Sequence, residues 1–215
     1  MLAVPLMAAV FPVKESTGIV LPMLISADCI AVIYYRYDAD WKILLPLLPF
    51  SLGGIVGGFF LMDCIGNDQL RPLVGLIVLA MLSLNFLLKR NLQSTLVSGR
   101  WIWSGAIGLA GGLVSMISNA AGPLLTLYCY LFELDKKKFI GCTAWYFFII
   151  NLLKVPFSTE LGLIHWKTLQ LNLMLFPLIF AGAYGGYKLV HVLPQKVFEG
   201  MMQGLIILSA GYLLL

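Results

Sequence analysis

A polar, helix-breaking cluster interrupts a long apolar stretch of the chain, residues 104–157. Backbone broken at membrane depth is tolerated only where protein or a water-filled cavity satisfies its polar groups. Helix N-termini at such a break offer unpaired N–H groups and positive dipole ends, to which serine and asparagine add side-chain donors. The pattern is typical of a site that binds a small anion, and the alternative is a simple turn between two packed helices. The candidate binding residues of the cluster are Ser115, Ser118, Asn119 and Gly122.

Two further candidates for substrate binding follow in the next apolar segment, Asn151 and Lys154. Their spacing places them on one face of a helix. A cation at the bilayer centre costs about 2.5–3.5 kcal/mol on insertion scales, so an embedded lysine requires an explanation. Lys154 either binds the anion or, because a helix end is expected close by at Pro156, extends outward to the interface.

A carboxylate, Asp28, lies in the middle of the first full apolar span, 17–35. An offset of 123 residues relates it to Asn151 in the second half of the chain. A carboxylate at mid-membrane depth suggests coupling to protons or a buried partner for Lys154. A structural contact with a hydroxyl group is the alternative.

Composition places these residues in a membrane protein. The 215-residue chain is 60% hydrophobic and only 11% charged, whereas a soluble domain carries about 25% charged residues. Its apolar runs of about 17–21 residues suit the thickness of a bilayer. The sequence therefore predicts an all-α, multi-pass protein of the inner or plasma membrane. The net charge of +4 reflects loop topology and indicates no nucleic-acid partner.

The cysteines and histidines predict no metal, haem or disulfide. The four cysteines and two histidines form no spacing typical of metal ligands. No cofactor and no catalytic residue are expected.

The two halves of the chain share a pattern of segments, which predicts an N-terminal repeat, 1–90, and a C-terminal repeat, 91–215. Four short matches occur in the same order in both halves. The matched pairs are 4–7 with 122–125, 40–42 with 165–167, 54–58 with 182–186, and 75–79 with 204–208. The predicted spans are 17–35, 43–61 and 72–88 in the first repeat, and 139–157, 168–187 and 197–215 in the second.

The first repeat begins at the equivalent of Pro123, so residues 101–122 have no counterpart in the first half. The chain is therefore expected to start inside a broken helix pair, with its first helix missing. Either the true start codon lies upstream, or the protein is a naturally shortened variant.

Loop charges favour a re-entrant path for residues 101–134. If this stretch crossed the membrane once, the 14 Lys and Arg residues would divide evenly between the two sides. If it dips in and returns, they divide unequally, as the positive-inside rule expects. Three full crossings then remain in each repeat, and because this number is odd the two repeats are expected to be inverted. The basic side is expected to be cytoplasmic, which places the C-terminus outside. The basic side would hold Arg36, Lys42, Lys89, Arg90, Arg100, Lys136, Lys137, Lys138, Lys188 and Lys196; the other would hold Lys14, Arg71, Lys154 and Lys167.

These features together resemble the TauE/SafE family of membrane transporters. The resemblance covers essentially the whole chain and rests on GAIGLAGGLVSMISNAAGPLL at 105–125, the DWK and HWK connectors, and the glycine-rich third segments. It implies secondary transport of a small sulfur-containing anion such as sulfite, thiosulfate or an organosulfonate like taurine or sulfoacetate. It also implies export driven by an ion gradient. The segment 118–121 stands where a denser glycine cluster is usual in the family.

Two other functions compete with transport of an anion. A non-transporting subunit of a larger membrane assembly would fit the missing first hairpin. An intramembrane enzyme would need a nucleophile and base, or metal ligands, at membrane depth, and both histidines lie at loop edges. The expected partners are a small anion and the lipid bilayer. The glycines at 53–58, 105–112 and 182–186 have small-xxx-small spacing, which predicts close-packing helix surfaces and is compatible with a homodimer.

Overall fold

The computed structural model describes residues 3–8, 10–91, 100–166, 168–170, 172–174 and 177. This part of the chain is all-helical and contains no β-strand, which confirms the predicted class. The predicted spans 168–187, in most of its length, and 197–215, the glycines of 182–186, and Lys167, Lys188 and Lys196 lie outside the described residues. The helices are α1 Ala3–Met7, α2 Val13–Tyr35, α3 Trp41–Leu44, α4 Leu47–Cys64, α5 Asn67–Asn91, α6 Arg100–Ser118, α7 Gly122–Leu131 and α8 Lys136–Glu160.

Four helices among the described residues are long and apolar enough to cross a membrane: α2, α4, α6 and α8. The chain is therefore a multi-pass membrane protein, as its composition predicts. α5 contains the predicted span 72–88 within its 25 residues.

Two predicted spans have bounds that differ from those of the observed helices. The span 43–61 is divided at Pro46 into the short α3 and the long α4, since proline lacks an N–H group and restricts the residue before it. The span 139–157 extends at both ends, beginning after the capping side chain of Asp135 and continuing past Pro156 to Glu160. The expected helix end at Pro156 is thus wrong, and Lys154 lies well inside α8.

The break between α6 and α7 occurs at Asn119. This residue has φ 52°, a left-handed conformation that asparagine tolerates better than most residues. Its N–H group donates to the Ser115 carbonyl at 3.1 Å and closes the last turn of α6.

The chain reverses direction at this break. The hydroxyl oxygens of Ser104 and Tyr128 lie 2.9 Å apart although 24 residues separate them in sequence. A continuous helix would hold these positions about 36 Å apart. α6 and α7 therefore form a helical hairpin, which we call the hairpin from here on, with its tip at residues 119–121.

Tyr128 also anchors the hairpin to α3, because its hydroxyl donates to the Ile43 carbonyl at 2.8 Å. Tyr128→Phe is expected to lower the free energy of unfolding by about 1–3 kcal/mol, since the partly buried Ile43 carbonyl and the buried Ser104 hydroxyl each lose a partner. Denaturant titration of the protein in detergent micelles measures the change. Tyr34→Phe, at a tyrosine that is 78% exposed, is the control and should change stability by less than about 0.5 kcal/mol. Equal losses in the two variants would contradict this role of Tyr128.

Glycines allow α4 and α6 to pack with their backbones in contact. A Cβ atom on Gly112 would lie 1.9 Å from the Ser51 carbonyl oxygen, and one on Gly54 would lie 2.1 Å from that of Leu109. Helices approach this closely only where small residues line both faces. The predicted close-packing role of the glycines in 53–58 and 105–112 is confirmed, although Gly57 within the first group contacts nothing beyond its own helix.

α2 and α8 pack in antiparallel orientation. Gly18, near the start of α2, lies against the Leu163 carbonyl just after α8, where an added Cβ would approach to 2.2 Å. Gly141, near the start of α8, lies against Asp38 just after α2, where an added Cβ would lie 2.6 Å from the carbonyl carbon of Asp38. These two contacts fix the register of the helices and bring their central polar residues level with each other.

Candidate functional site

Lys154 turns into the protein and contacts the hairpin. Its side chain is 2% exposed, and its Nζ donates to the carbonyl and hydroxyl oxygens of Ser115 at 3.1 and 3.0 Å and to Oδ1 of Asn119. An ammonium group has three protons, so these three acceptors satisfy it completely. The alternative of a lysine extended to the interface is wrong, because α8 continues beyond Pro156 and the amine is buried.

The ammonium group of Lys154 lies at the C-terminal end of α6, opposite the negative end of the helix dipole. The Ser115 carbonyl belongs to the last turn of α6, where helix carbonyls carry the negative end of the dipole. That oxygen accepts from both the Asn119 N–H group and the ammonium group of Lys154. The tip of the hairpin is thus held to α8 by a buried, charge-assisted contact, a type about twice as strong as a neutral hydrogen bond.

Asn119 links the hairpin to two helices at once. Its Oδ1 accepts from Lys154 on α8, and its Nδ2 lies 3.5 Å from the Thr17 carbonyl oxygen on α2. Because Asn119 lies outside the regular turns of α6 and α7, its side chain can move without breaking a helix. It is also only partly buried, unlike Ser115 and Lys154.

Asn151 and Asp28 form a second contact between α2 and α8, about one turn from Lys154. Nδ2 of Asn151 donates to Oδ2 of Asp28 at 2.7 Å, and Asn151 is 2% exposed. Asp28 is therefore paired with Asn151, and the two described residues Asp28 and Lys154 form no direct ion pair. Their opposite charges attract each other through space, because Asn151 holds the carboxylate about one helical turn from Lys154.

The other two predicted site residues have different surroundings. The Ser118 hydroxyl is completely buried and donates to the Val114 carbonyl at 3.0 Å, within α6. Gly122 begins α7, and a Cβ atom added to it would meet nothing within 4 Å. Space therefore exists beside the first turn of α7, where helix N–H groups lack intrahelical partners.

Comparison with known proteins assigns the chain to a family. The profile of the sulfite exporter TauE/SafE family matches residues 1–213. The chain belongs to this family. Two curated relatives of the TauE/SafE chain, both named probable membrane transporter protein MamO, come from Magnetospirillum gryphiswaldense and Paramagnetospirillum magneticum. They are 23% and 22% identical to it over 203 residues.

Each match covers 75% of the TauE/SafE chain and 32% of the relative. The chain thus spans about a third of the length of the curated relatives it matches. No solved structure matches it significantly.

In this TauE/SafE protein, the structure brings together five of the seven residues singled out from the sequence. Ser115, Asn119 and Lys154 share one set of hydrogen bonds, and Asn151 joins Asp28 one turn away. Thr17 is an additional member that sequence reasoning missed; it takes part through its backbone carbonyl, for which no side-chain signal exists. Within the described ranges, no group of three or more His, Cys, Asp or Glu side chains could hold a metal ion.

Proposed function

We propose that this TauE/SafE protein is a secondary transporter of small anions and that Lys154 is the group that binds the anion. The observation that carries the proposal is a buried ammonium group at the tip of a helical hairpin, where its partners are a helix end and a movable amide. A buried charge is costly unless it is paired, and within membrane-spanning segments ionisable residues mark substrate or ion pathways.

Binding requires the anion to replace one acceptor of the lysine. The two acceptors on Ser115 are held by α6, whereas Asn119 lies between helices and is partly exposed. The anion therefore takes the place of the Asn119 carbonyl oxygen. The amide nitrogen of Asn119 and the N–H groups at the start of α7, beside the open space at Gly122, then provide donors for the remaining oxygens of the anion.

We propose a sulfur-containing oxyanion or organosulfonate as the substrate, moved out of the cell. The description of the family as sulfite exporters supports this class, and sulfite, thiosulfate, taurine and sulfoacetate are the compounds to test. The donors of the site support the same class of substrate. An ammonium group, an amide and backbone N–H groups can each donate to one of three oxygens on the anion.

We also propose that the chain is built from two inverted repeats. The offset of 123 residues that separates Asp28 from Asn151 also separates Gly18 from Gly141. Each of these glycines lies against the segment that follows the other helix. A two-fold pseudo-axis between Asp28 and Asn151 generates this reciprocal pattern, as an isologous contact does, and inverted repeats around a midplane site are common in secondary transporters.

The hairpin fits a re-entrant path in this arrangement. α6 has 19 residues, a length of about 28 Å, and the tip reaches Thr17 near the start of α2. The hairpin would therefore enter from the basic, cytoplasmic side and carry the site most of the way across the bilayer. Asp28, paired with Asn151 on the pseudo-axis, is our candidate for coupling transport to protons.

Asn119→Gly removes the amide side chain but keeps the backbone conformation at the tip, because glycine readily adopts the positive φ of this position. We expect the variant to fold and to bind sulfite at least about tenfold more weakly, since one donor to the anion is lost. Thermal shifts of the purified protein, titrated with each of the four sulfur compounds, measure the affinity.

Thr126→Val is the control, because this hydroxyl bonds to the Gly122 carbonyl within α7 and should leave the affinity unchanged. Binding by Asn119→Gly as tight as that of the wild type would remove Asn119 from the site. No stabilisation of the folded wild-type protein by any of the four compounds would contradict the sulfur-anion assignment.

A further inference from the structure

We propose that the site selects singly charged anions over doubly charged ones and that Asp28 is the residue that imposes this selection. The inference rests on the proposed anion transport and deepens it by naming the charge class of the substrate.

The charges around the site cancel before any anion arrives. Lys154 is the only charged side chain among the fully buried polar residues of the described part. α8 also contributes the neutral Asn151, and the hairpin contributes the neutral Ser115 and Asn119. α2 contributes the carboxylate of Asp28. Its other charged residues, Lys14 and Glu15, lie in its first turn, where Glu15 is exposed and the two neighbouring charges oppose each other. The site thus offers one positive and one negative charge.

The position of the carboxylate is fixed. Asn151 is buried between α2 and α8 and holds Oδ2 of Asp28 at 2.7 Å. Residues three apart on a helix have Cβ atoms about 5–6 Å from each other, so Asn151 holds the carboxylate within about one turn of Lys154. An anion bound to the ammonium group therefore also experiences the charge of Asp28 through an interior of low dielectric constant.

This arrangement penalises a second negative charge on the anion. Attraction to the single ammonium group grows in proportion to the charge of the anion, whereas the Born cost of removing the anion from water grows with the square of that charge. One ammonium balances one negative charge, and the fixed carboxylate repels a dianion twice as strongly as a monoanion. Hydrogen sulfite and alkyl sulfonates therefore suit the site better than doubly charged sulfite, thiosulfate or sulfate.

Two tetrahedral anions of permanent charge test the proposal, methanesulfonate with one negative charge and sulfate with two. Their affinities for the purified full chain in detergent are measured by calorimetric titration, in the wild type and in Asp28→Asn. Asparagine can still accept the hydrogen bond from Asn151, so the variant retains this contact between α2 and α8. Asp63→Asn, which removes an exposed carboxylate at the end of α4, is the matched control.

We expect the wild type to bind methanesulfonate at least about tenfold more tightly than sulfate. Asp28→Asn should shift this ratio about tenfold towards sulfate, because the removed repulsion counts twice for a dianion, and Asp63→Asn should leave the ratio unchanged. Equal or tighter binding of sulfate by the wild type overturns the charge selection, and this holds even if Asp28→Asn does not fold. A ratio that is the same in a folded Asp28→Asn removes Asp28 from the selection. If the folded wild type binds neither anion, the proposed anion transport itself fails.

Discussion

Lys154→Met is expected to weaken anion binding strongly and to lower the stability of the protein modestly. Methionine fills a volume similar to that of lysine but carries no charge. Hydrogen bonds to charged groups contribute about 1.5–3 kcal/mol each, so loss of the ammonium group should weaken binding by about one to two orders of magnitude. Stability should fall by about 1–3 kcal/mol, because the oxygens of Ser115 and Asn119 lose their charged donor.

A calorimetric titration with sulfite and a denaturant titration of the same sample measure both quantities. Lys137→Met is the matched control, because this lysine lies on the same helix and is exposed to solvent. It should change neither the affinity nor the stability. If Lys154→Met bound sulfite as the wild type does, the lysine would have a purely structural role as the cap of α6.

Gly112→Ala is expected to separate α4 from α6 and to lower the free energy of unfolding by about 3 kcal/mol or more, at the upper end of the usual cost of overpacking. The added Cβ would lie 1.9 Å from the Ser51 carbonyl oxygen, 2.8 Å from its carbonyl carbon and 2.9 Å from the Ile55 nitrogen. All three are backbone atoms, which no change of side-chain rotamer can move away. Because α6 is the long arm of the hairpin, the displacement also moves Ser115 away from Lys154 and should weaken anion binding.

Gly57→Ala, on α4, is the control for Gly112→Ala and should not destabilise the protein. Nothing lies within 4 Å of a Cβ added at Gly57, and alanine is favoured over glycine inside a helix by about 0.5–1 kcal/mol. This variant should be as stable as the wild type or slightly more stable. Unfolding titrations in micelles compare the two variants, and a Gly112→Ala protein as stable as Gly57→Ala would contradict the backbone contact between α4 and α6.

The sequence was sufficient to locate the break and the packing surfaces. Ser118–Gly122 combines residues that favour turns and a left-handed conformation, and the break occurs there because Asn119 adopts that conformation. The glycines of α4 and α6 predict a close helix contact because spacing alone places them on common faces. Both features are local, so the pattern of residue types contains the information.

Features that depend on the meeting of distant segments could not be predicted in the same way. Pro156 is a normal signal for a helix end, yet packing of α8 against α2 maintains the helix to Glu160. That extension excludes a lysine that reaches the membrane interface, because it leaves the amine buried against the hairpin. The contact of Asn119 with the Thr17 carbonyl oxygen likewise has no side-chain signal. The proposed sequence repeat relates Asp28 to Asn151 as equivalent positions. It did not predict that the two side chains are joined by a hydrogen bond.

The hairpin and the packing of α2 on α8 together position the site. The glycine contacts bring α6 against α4, and the hydroxyl of Tyr128 fixes the returning arm to α3. The tip then projects to α2 and α8, where Asn119 contacts both helices. Movement of α2 relative to α8 would therefore change the contacts of Asn119. This is the residue that we expect the anion to displace from Lys154.

Flux of radiolabelled sulfite into proteoliposomes preloaded with unlabelled sulfite tests most directly whether the protein transports an anion that binds at Lys154. We expect the wild type and Lys137→Met to accumulate label well above protein-free liposomes, whereas Lys154→Met should remain near the level of the protein-free sample. Flux through Lys154→Met at the wild-type rate would show that the anion does not bind at the lysine of the hairpin tip. Absence of flux in the wild type would contradict sulfite transport by this chain and would favour a role as a non-transporting membrane subunit.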